Sequence, residues 1–179
     1  MKNQNQKVGK VRKNLTLTGM MGVGKSTIGR LLSKKLRMPF EDLDSNIESK
    51  ASLTIKEIFN LKGEAYFRKL EENESIGIIS KAGKVIALGG GTFVNEKVRE
   101  QVKKNCFSVW LDLEIKEIFE RTKKNNGRPL LINVESIKDI EKIYLERKEI
   151  YALADFKLDC TKKSKEQIVD EIEKIYENI

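Results

Sequence analysis

The sequence predicts an α/β fold, a mainly parallel sheet with helices on both faces. Three observations carry the prediction. Strand-like runs alternate with helical patterns along the 179 residues, joined by short links. A glycine-rich loop sits between the first strand and the first helix. No repeat, low-complexity segment or linker divides the chain. The length suits one domain. We expect residues 14–179 to form it, after a flexible basic tail at 1–13.

Residues 15–18 alternate apolar and hydroxyl side chains like a short strand. Ile28, Leu31, Leu32 and Leu36 then recur at helical spacing, which predicts a helix over 25–36 that closes before Pro39. Residues 39–43 read as a short strand or strand end. Thr54-Ile55-Lys56-Glu57 has the form of a capping box and opens a short helix through Asn60. A long helix follows over 64–81, with Gly83 as its stop. Val85-Ile86-Ala87-Leu88 is a buried strand ending at Gly89-Gly90-Gly91. Asn95 caps a helix through Lys104, 107–113 is strand and 115–123 is helix. Residues 124–133 are polar and contain Asn125-Asn126-Gly127-Arg128-Pro129, which predicts a loop. A helix over 136–153, a strand over 156–160 and a final helix opened by Ser164 complete the order. Ligands of such a sheet bind beyond the carboxyl ends of its strands. The glycine loop, Asp42-Leu43-Asp44, the triple glycine and the segment after Asp112 all follow strands and should share one rim.

Composition excludes several kinds of chemistry. The chain has no histidine, so a Ser-His triad, a histidine metal site and a histidine base are ruled out, and base work falls to a carboxylate. Cys106 and Cys160 lie far apart near strands and read as small core residues rather than a disulfide or metal pair. No apolar run approaches the roughly 18 residues of a membrane span. The basic start lacks the apolar stretch and cleavage site of a secretory signal. We expect a cytoplasmic monomer with no membrane partner. The net charge of +8 fits a nucleic-acid binder, a site for anionic small molecules, or lysine enrichment with no partner. The lysines are scattered over several helices without interleaved aromatics, which favours the second and third readings and leaves no nucleic-acid partner.

Gly19-Met20-Met21-Gly22-Val23-Gly24-Lys25-Ser26-Thr27 fits G-x-x-x-x-G-K-[ST], a phosphate-binding loop, in its required setting of strand, glycine turn and helix. Glycine lets the backbone come close to a polyphosphate. Successive N–H groups then form an anion-binding concavity, and the helix dipole adds partial positive charge. Lys25 supplies a full charge to the β and γ phosphates, and Ser26 offers a hydroxyl oxygen to Mg²⁺. We assign Gly22, Val23, Gly24, Lys25, Ser26 and Thr27 to a nucleoside triphosphate, which the resemblance given below makes ATP. The loop does not identify what receives the phosphate.

Other candidates carry two readings each. Asp42 and Asp44, two apart at a strand end, suit two separate jobs: Mg²⁺ through water and an acceptor's hydroxyl. They equally suit a helix N-terminus, since Ser45 and Asn46 follow. Arg68 has Glu71 and Glu72 three and four residues on, and taken alone reads as an intrahelical ion pair. Arg147 lies in a charged helix where a solvated face is the default. Gly89, Gly90 and Gly91 are costly in chain entropy straight after an apolar strand, which suggests close backbone approach to a ligand. Arg121 and Arg128 bracket the polar loop; one could reach a nucleotide base while the other closes over phosphates.

These segments together resemble the shikimate kinases. The resemblance runs from about Leu15 to Asp155 and is carried by GMMGVGKSTIG at 19–29, FEDLDSNIE at 40–48, IKEIF at 55–59, GEAYFRKLE at 63–71, VIALGGGTF at 85–93, RTKKNNGRPLL at 121–131 and RKEIYALAD at 147–155. It implies a P-loop kinase fold: a five-stranded parallel sheet, a lid over about 123–133 and a substrate-binding helical region. It also implies transfer of the ATP γ-phosphoryl group to the 3-hydroxyl of shikimate with Mg²⁺. Asp44 resembles the residue that holds the acceptor hydroxyl, and Asp42 the aspartate on the Mg²⁺ side. Arg68 and Arg147 resemble the pair that binds the substrate carboxylate, with Glu71 orienting Arg68. The glycines at 89–91 resemble the backbone contact to the substrate ring. Arg128 resembles the lid arginine that reaches the phosphates, making it catalytic beside Lys25 and Asp44, and Arg121 the arginine packed on adenine. The lid here is unusually rich in Lys and Asn. The rivals are another small-molecule P-loop kinase, such as a gluconate or nucleoside-monophosphate kinase, and a basic nucleic-acid-binding ATPase.

Overall fold

The computed structural model describes residues 12–123 and 136–179. The expected loop at 124–133, with Arg128 and nearly all of the lid, lies outside the described residues, as do residues 1–11 of the tail. Five strands form one parallel sheet: β1 (Asn14–Thr18), β2 (Phe40–Asp42), β3 (Val85–Ala87), β4 (Cys106–Asp112) and β5 (Phe156–Asp159). Their spatial order is β2-β3-β1-β4-β5. The strand order therefore reverses around β1, and the loop that leaves β1 opens where a ligand crevice forms.

Every residue of β1 is buried. Side chains alternate across a strand, so burial of the whole run requires cover on both faces. Its polar residues need partners. The amide of Asn14 donates to the Ile79 carbonyl at 3.0 Å and its oxygen accepts from the Lys84 backbone at 2.9 Å, tying the strand to the chain that enters β3.

The helices are α1 (Lys25–Leu36), α2 (Leu43–Ala51), α3 (Ile55–Ile79), α4 (Glu96–Asn105), α5 (Ile115–Lys123), α6 (Ile137–Tyr151) and α7 (Lys165–Tyr176). α1 packs with α7, and α3 with α4. The capping box at Thr54 forms, with both Thr54 and Glu57 bonding the opposite backbone. Gly63, at φ 81° and ψ 168°, kinks α3 and splits it into the short and long helices the sequence predicts. α2 is an addition to that prediction. Asp42 caps it, accepting from the Ser45 backbone at 3.2 Å. The helix-cap reading of Asp42 thus holds, and it sends Asp44 into the first helical turn. A short 3-10 turn over Thr92–Val94 is the other element the sequence did not predict.

Cys106 and Cys160 are free and buried, as expected of core residues. Burial pushes their thiols up to about 11 and about 12 respectively. Among the described residues no helix is long and apolar enough to cross a membrane.

Candidate active site

The loop between β1 and α1 adopts the conformation its glycines permit. Gly22 and Gly24 have φ of 83° and 101°, the left-handed region that favours glycine. Gly24 is the N-cap of α1, so the first N–H groups of that helix face outward from the loop. Lys25 is buried, and its ammonium donates to the carbonyls of Gly19 at 2.8 Å and Met20 at 2.9 Å. The charge is thereby held over the loop.

A cleft of about 590 Å³ opens beside this loop. Residues 22–28 line it, together with Asp42, Asp44, Leu88, Arg121 and Thr122. Arg121 is half exposed, donates to the Val23 carbonyl at 3.4 Å and pairs with Glu117 at 3.2 Å. Lys163, Lys165 and Ile168 complete the wall. Sequence reading missed these two lysines. They sit between the end of β5 and the start of α7, a strand-end position that the crevice rule already marks.

The second half of the site is built on the triple glycine. A Cβ at Gly89 would stand 2.7 Å from the Thr92 hydroxyl, 2.8 Å from Asp44 Oδ1 and 2.9 Å from Glu71 Oε1. Any larger residue there would have to displace the three oxygens that converge on it. A Cβ at Gly91 would stand 3.0 Å from Arg68 Nη1. Arg147 donates to the Gly90 carbonyl at 3.1 Å, and the Tyr151 hydroxyl donates to that same carbonyl. One turn therefore gathers Asp44 from α2, Arg68 and Glu71 from α3, and Arg147 from α6.

Glu71 is buried, accepting from Thr92 Oγ1 at 2.6 Å and from Arg68 Nη1 at 2.8 Å. Partial burial pulls the Arg68 guanidinium down, but Glu71 and then Glu64 outweigh it and hold it above the ordinary arginine value. Burial raises the Tyr151 phenol, partly offset by Arg147. Tyr151 keeps its proton as a donor to Gly90. Thr92 and Tyr151 were also missed. Both had a signal: Thr92 follows the triple glycine directly, and Tyr151 lies one helical turn beyond Arg147.

Asp44 belongs to both halves, lining the nucleotide cleft and meeting the glycine turn. The arrangement fits Mg²⁺, a hard cation that takes oxygen ligands: the Ser26 hydroxyl and the Asp42 carboxylate line the same cleft. Among the described residues there is no cluster of three His, Cys, Asp or Glu that would hold a metal by protein ligands alone.

A phosphate-binding loop on a parallel five-stranded sheet, facing a compact polar pocket across one aspartate, defines a P-loop kinase of a small molecule. The shikimate kinase family profile matches residues 21–177. A shikimate kinase from a Sulfurihydrogenibium species is 42% identical over 160 residues, covering 89% of this chain and 95% of the relative. The structure of shikimate kinase from Acinetobacter baumannii in complex with shikimate superposes with a TM-score of 0.89 at 28% identity, covering 93% of this chain and 94% of that one. The enzyme from Aquifex aeolicus gives a TM-score of 0.82 at 38% identity, with 92% and 96% covered. The chain belongs to the shikimate kinase family.

Proposed function

We propose that this chain transfers the γ-phosphoryl group of ATP to the 3-hydroxyl of shikimate, giving shikimate 3-phosphate. The observation that carries the reading is the double membership of Asp44, which joins the nucleotide cleft to the glycine turn that gathers Arg68 and Arg147. The shikimate-bound relative from Acinetobacter baumannii supports the choice of acceptor.

The roles follow from chemistry. The N–H groups of Gly22, Val23, Gly24, Lys25, Ser26 and Thr27 cradle the β and γ phosphates. Lys25 exchanges its carbonyl partners for phosphate oxygens and neutralises charge as the phosphoryl group moves. Arg121 flanks the nucleotide base, and Arg128 in the lid adds a second cation at the phosphates. Asp44 accepts from the acceptor hydroxyl, aligns its oxygen and takes its proton. Arg68 and Arg147 hold the carboxylate with planar donor forks, Glu71 orients Arg68, and the backbone of Gly89, Gly90 and Gly91 supports the ring. Mg²⁺ would be held through Ser26 and, by way of water, Asp42, and would supply positive charge to offset that of the phosphates. Closure of the lid over 123–133 would exclude water and suppress idle ATP hydrolysis. We also propose that the protein works as a monomer in the cytoplasm, with ATP and shikimate as its partners.

A coupled ATPase assay with and without shikimate tests the reading. Turnover that requires shikimate and is absent with gluconate or nucleoside monophosphates is the expected result. Turnover with gluconate and none with shikimate would reverse the assignment.

A further inference from the structure

Glu64 contacts the same guanidinium as the buried Glu71. Its Oε1 accepts from Arg68 Nε at 3.2 Å and from Nη2 at 3.1 Å. Nε and Nη2 form one edge by which arginine grips a carboxylate. Glu71 uses Nη1 instead. The two acids differ in how firmly they are held. The Glu71 side chain is 6% exposed and accepts a second bond from Thr92, whereas the Glu64 side chain is 59% exposed. Glu64 also directly follows the kink at Gly63, at the start of the long segment of α3. It is the carboxylate that can leave.

The charges around the turn give it a reason to leave. Glu64 and Glu71 both pair with Arg68, so two acids already sit on one guanidinium where an anion has to be captured. An incoming carboxylate would meet a guanidinium already neutralised on one edge.

We propose that Glu64 is an internal stand-in for the acceptor's carboxylate: it occupies the Nε–Nη2 edge of Arg68 and swings into solvent when the acceptor arrives. The inference rests on the reading that the acceptor carries a carboxylate. The exchange replaces one anion by another at Arg68, so the guanidinium keeps two carboxylates before and after and stays pinned against Gly91. An uncharged analogue of the acceptor offers no replacement for Glu64. Glu64 thus sharpens selection for anionic acceptors while lowering their affinity.

The test begins with wild-type shikimate kinetics at saturating ATP; no turnover of shikimate defeats the functional reading and this inference with it. With an active wild type, Glu64→Gln lowers the KM for shikimate about two- to fivefold, the range expected on removing one solvent-exposed ion-pair competitor. Glu64→Ala shifts KM in the same direction. Glu100→Gln removes one charge from the exposed side of α4 and leaves KM unchanged, which separates a local effect from net charge. In an Arg68→Ala background the Glu64 substitution gives no gain in kcat/KM. A KM that rises or stays level in both Glu64 variants overturns the stand-in and makes Glu64 an orienting residue or a bystander. A gain that survives without Arg68 overturns it as well.

Discussion

Thr92→Val isolates the device that aims Arg68. Thr92 is fully buried, and its hydroxyl donates to Glu71 Oε1 at 2.6 Å. Valine keeps the shape, leaves every formal charge in place and removes only that donor. Glu71 then retains Arg68 on one oxygen and loses its partner on the other, in a side chain 6% exposed. A hydrogen bond to a charged group contributes about 1.5–3 kcal/mol to stability. A chain of this size loses about 2–4 °C of Tm per kcal/mol, so the melting temperature should fall by about 3–12 °C. The carboxylate is also freed to turn, and Arg68 with it. Re-ordering one long side chain on binding costs about 0.5–1.5 kcal/mol, which raises the acceptor KM about 2- to 12-fold. The KM for ATP should hold, because neither Thr92 nor Glu71 lines the nucleotide cleft. Thermal melts and steady-state kinetics on Thr92→Val and Thr92→Ser decide the matter. Serine keeps the hydroxyl and should restore the acceptor KM. A valine variant with wild-type Tm and wild-type acceptor KM would refute the claim that Thr92 holds Glu71 and Glu71 holds Arg68.

Gly89→Ala introduces a Cβ within 3 Å of Asp44, Glu71 and Thr92 oxygens, at a position without left-handed φ, so the damage is confined to those groups. We expect at least a tenfold loss of kcat/KM for the acceptor with ATP affinity retained, read by nucleotide titration beside turnover. Glu41 bonds Lys84 at 2.5 Å and Asn46 at 2.8 Å; these bonds, Lys84 first, hold its carboxyl below the ordinary glutamate value. The folded pKa lies below the unfolded one, so its stabilisation is present above about pH 4.3 and is lost as pH falls through the folded pKa. Glu41→Gln should therefore flatten the acid limb of a Tm-against-pH curve and lower Tm at pH 7; an unchanged acid limb would count against the pair. Burial raises Cys106 and Cys160 to about 11 and about 12, so neither should react with a disulfide reagent at pH 8 in the folded protein, and both should react in denaturant. Fast labelling of native protein would contradict their burial.

Much of the fold was legible because its signals are local. The Thr54 capping box and the polar cap at Ser164 each act over four residues, and each forms as read. α2 was legible only as one of two readings of Asp42 and Asp44, because its pattern is short and its first residues double as a strand end. Phe40, Glu41 and Asp42 are extended while Leu43 is already helical, leaving no gap in which a boundary could announce itself. Thr92–Val94 escaped for a similar reason: three residues carry no period.

The glycine turn between β1 and α1 was legible because its glycines and the helix start are neighbours in the chain, and Gly22 and Gly24 take the left-handed φ that only glycine adopts freely. Arg68 and Arg147 were not legible on their own. An arginine with acids three and four residues away has the same local pattern whether it decorates a surface helix or serves a pocket. Arg68 does pair with Glu64 and Glu71 on its own helix, as the local pattern reads. What distinguishes it is its close approach to the space beside Gly91, 23 positions away in the chain, and for Arg147 a hydrogen bond to Gly90, 57 positions away. No window on the sequence spans those separations. The triple glycine was the one local trace of them. In the sequence its entropic cost points to close approach of a ligand; in the fold Asp44, Glu71, Thr92, Arg68, Arg147 and Tyr151 gather on that same backbone.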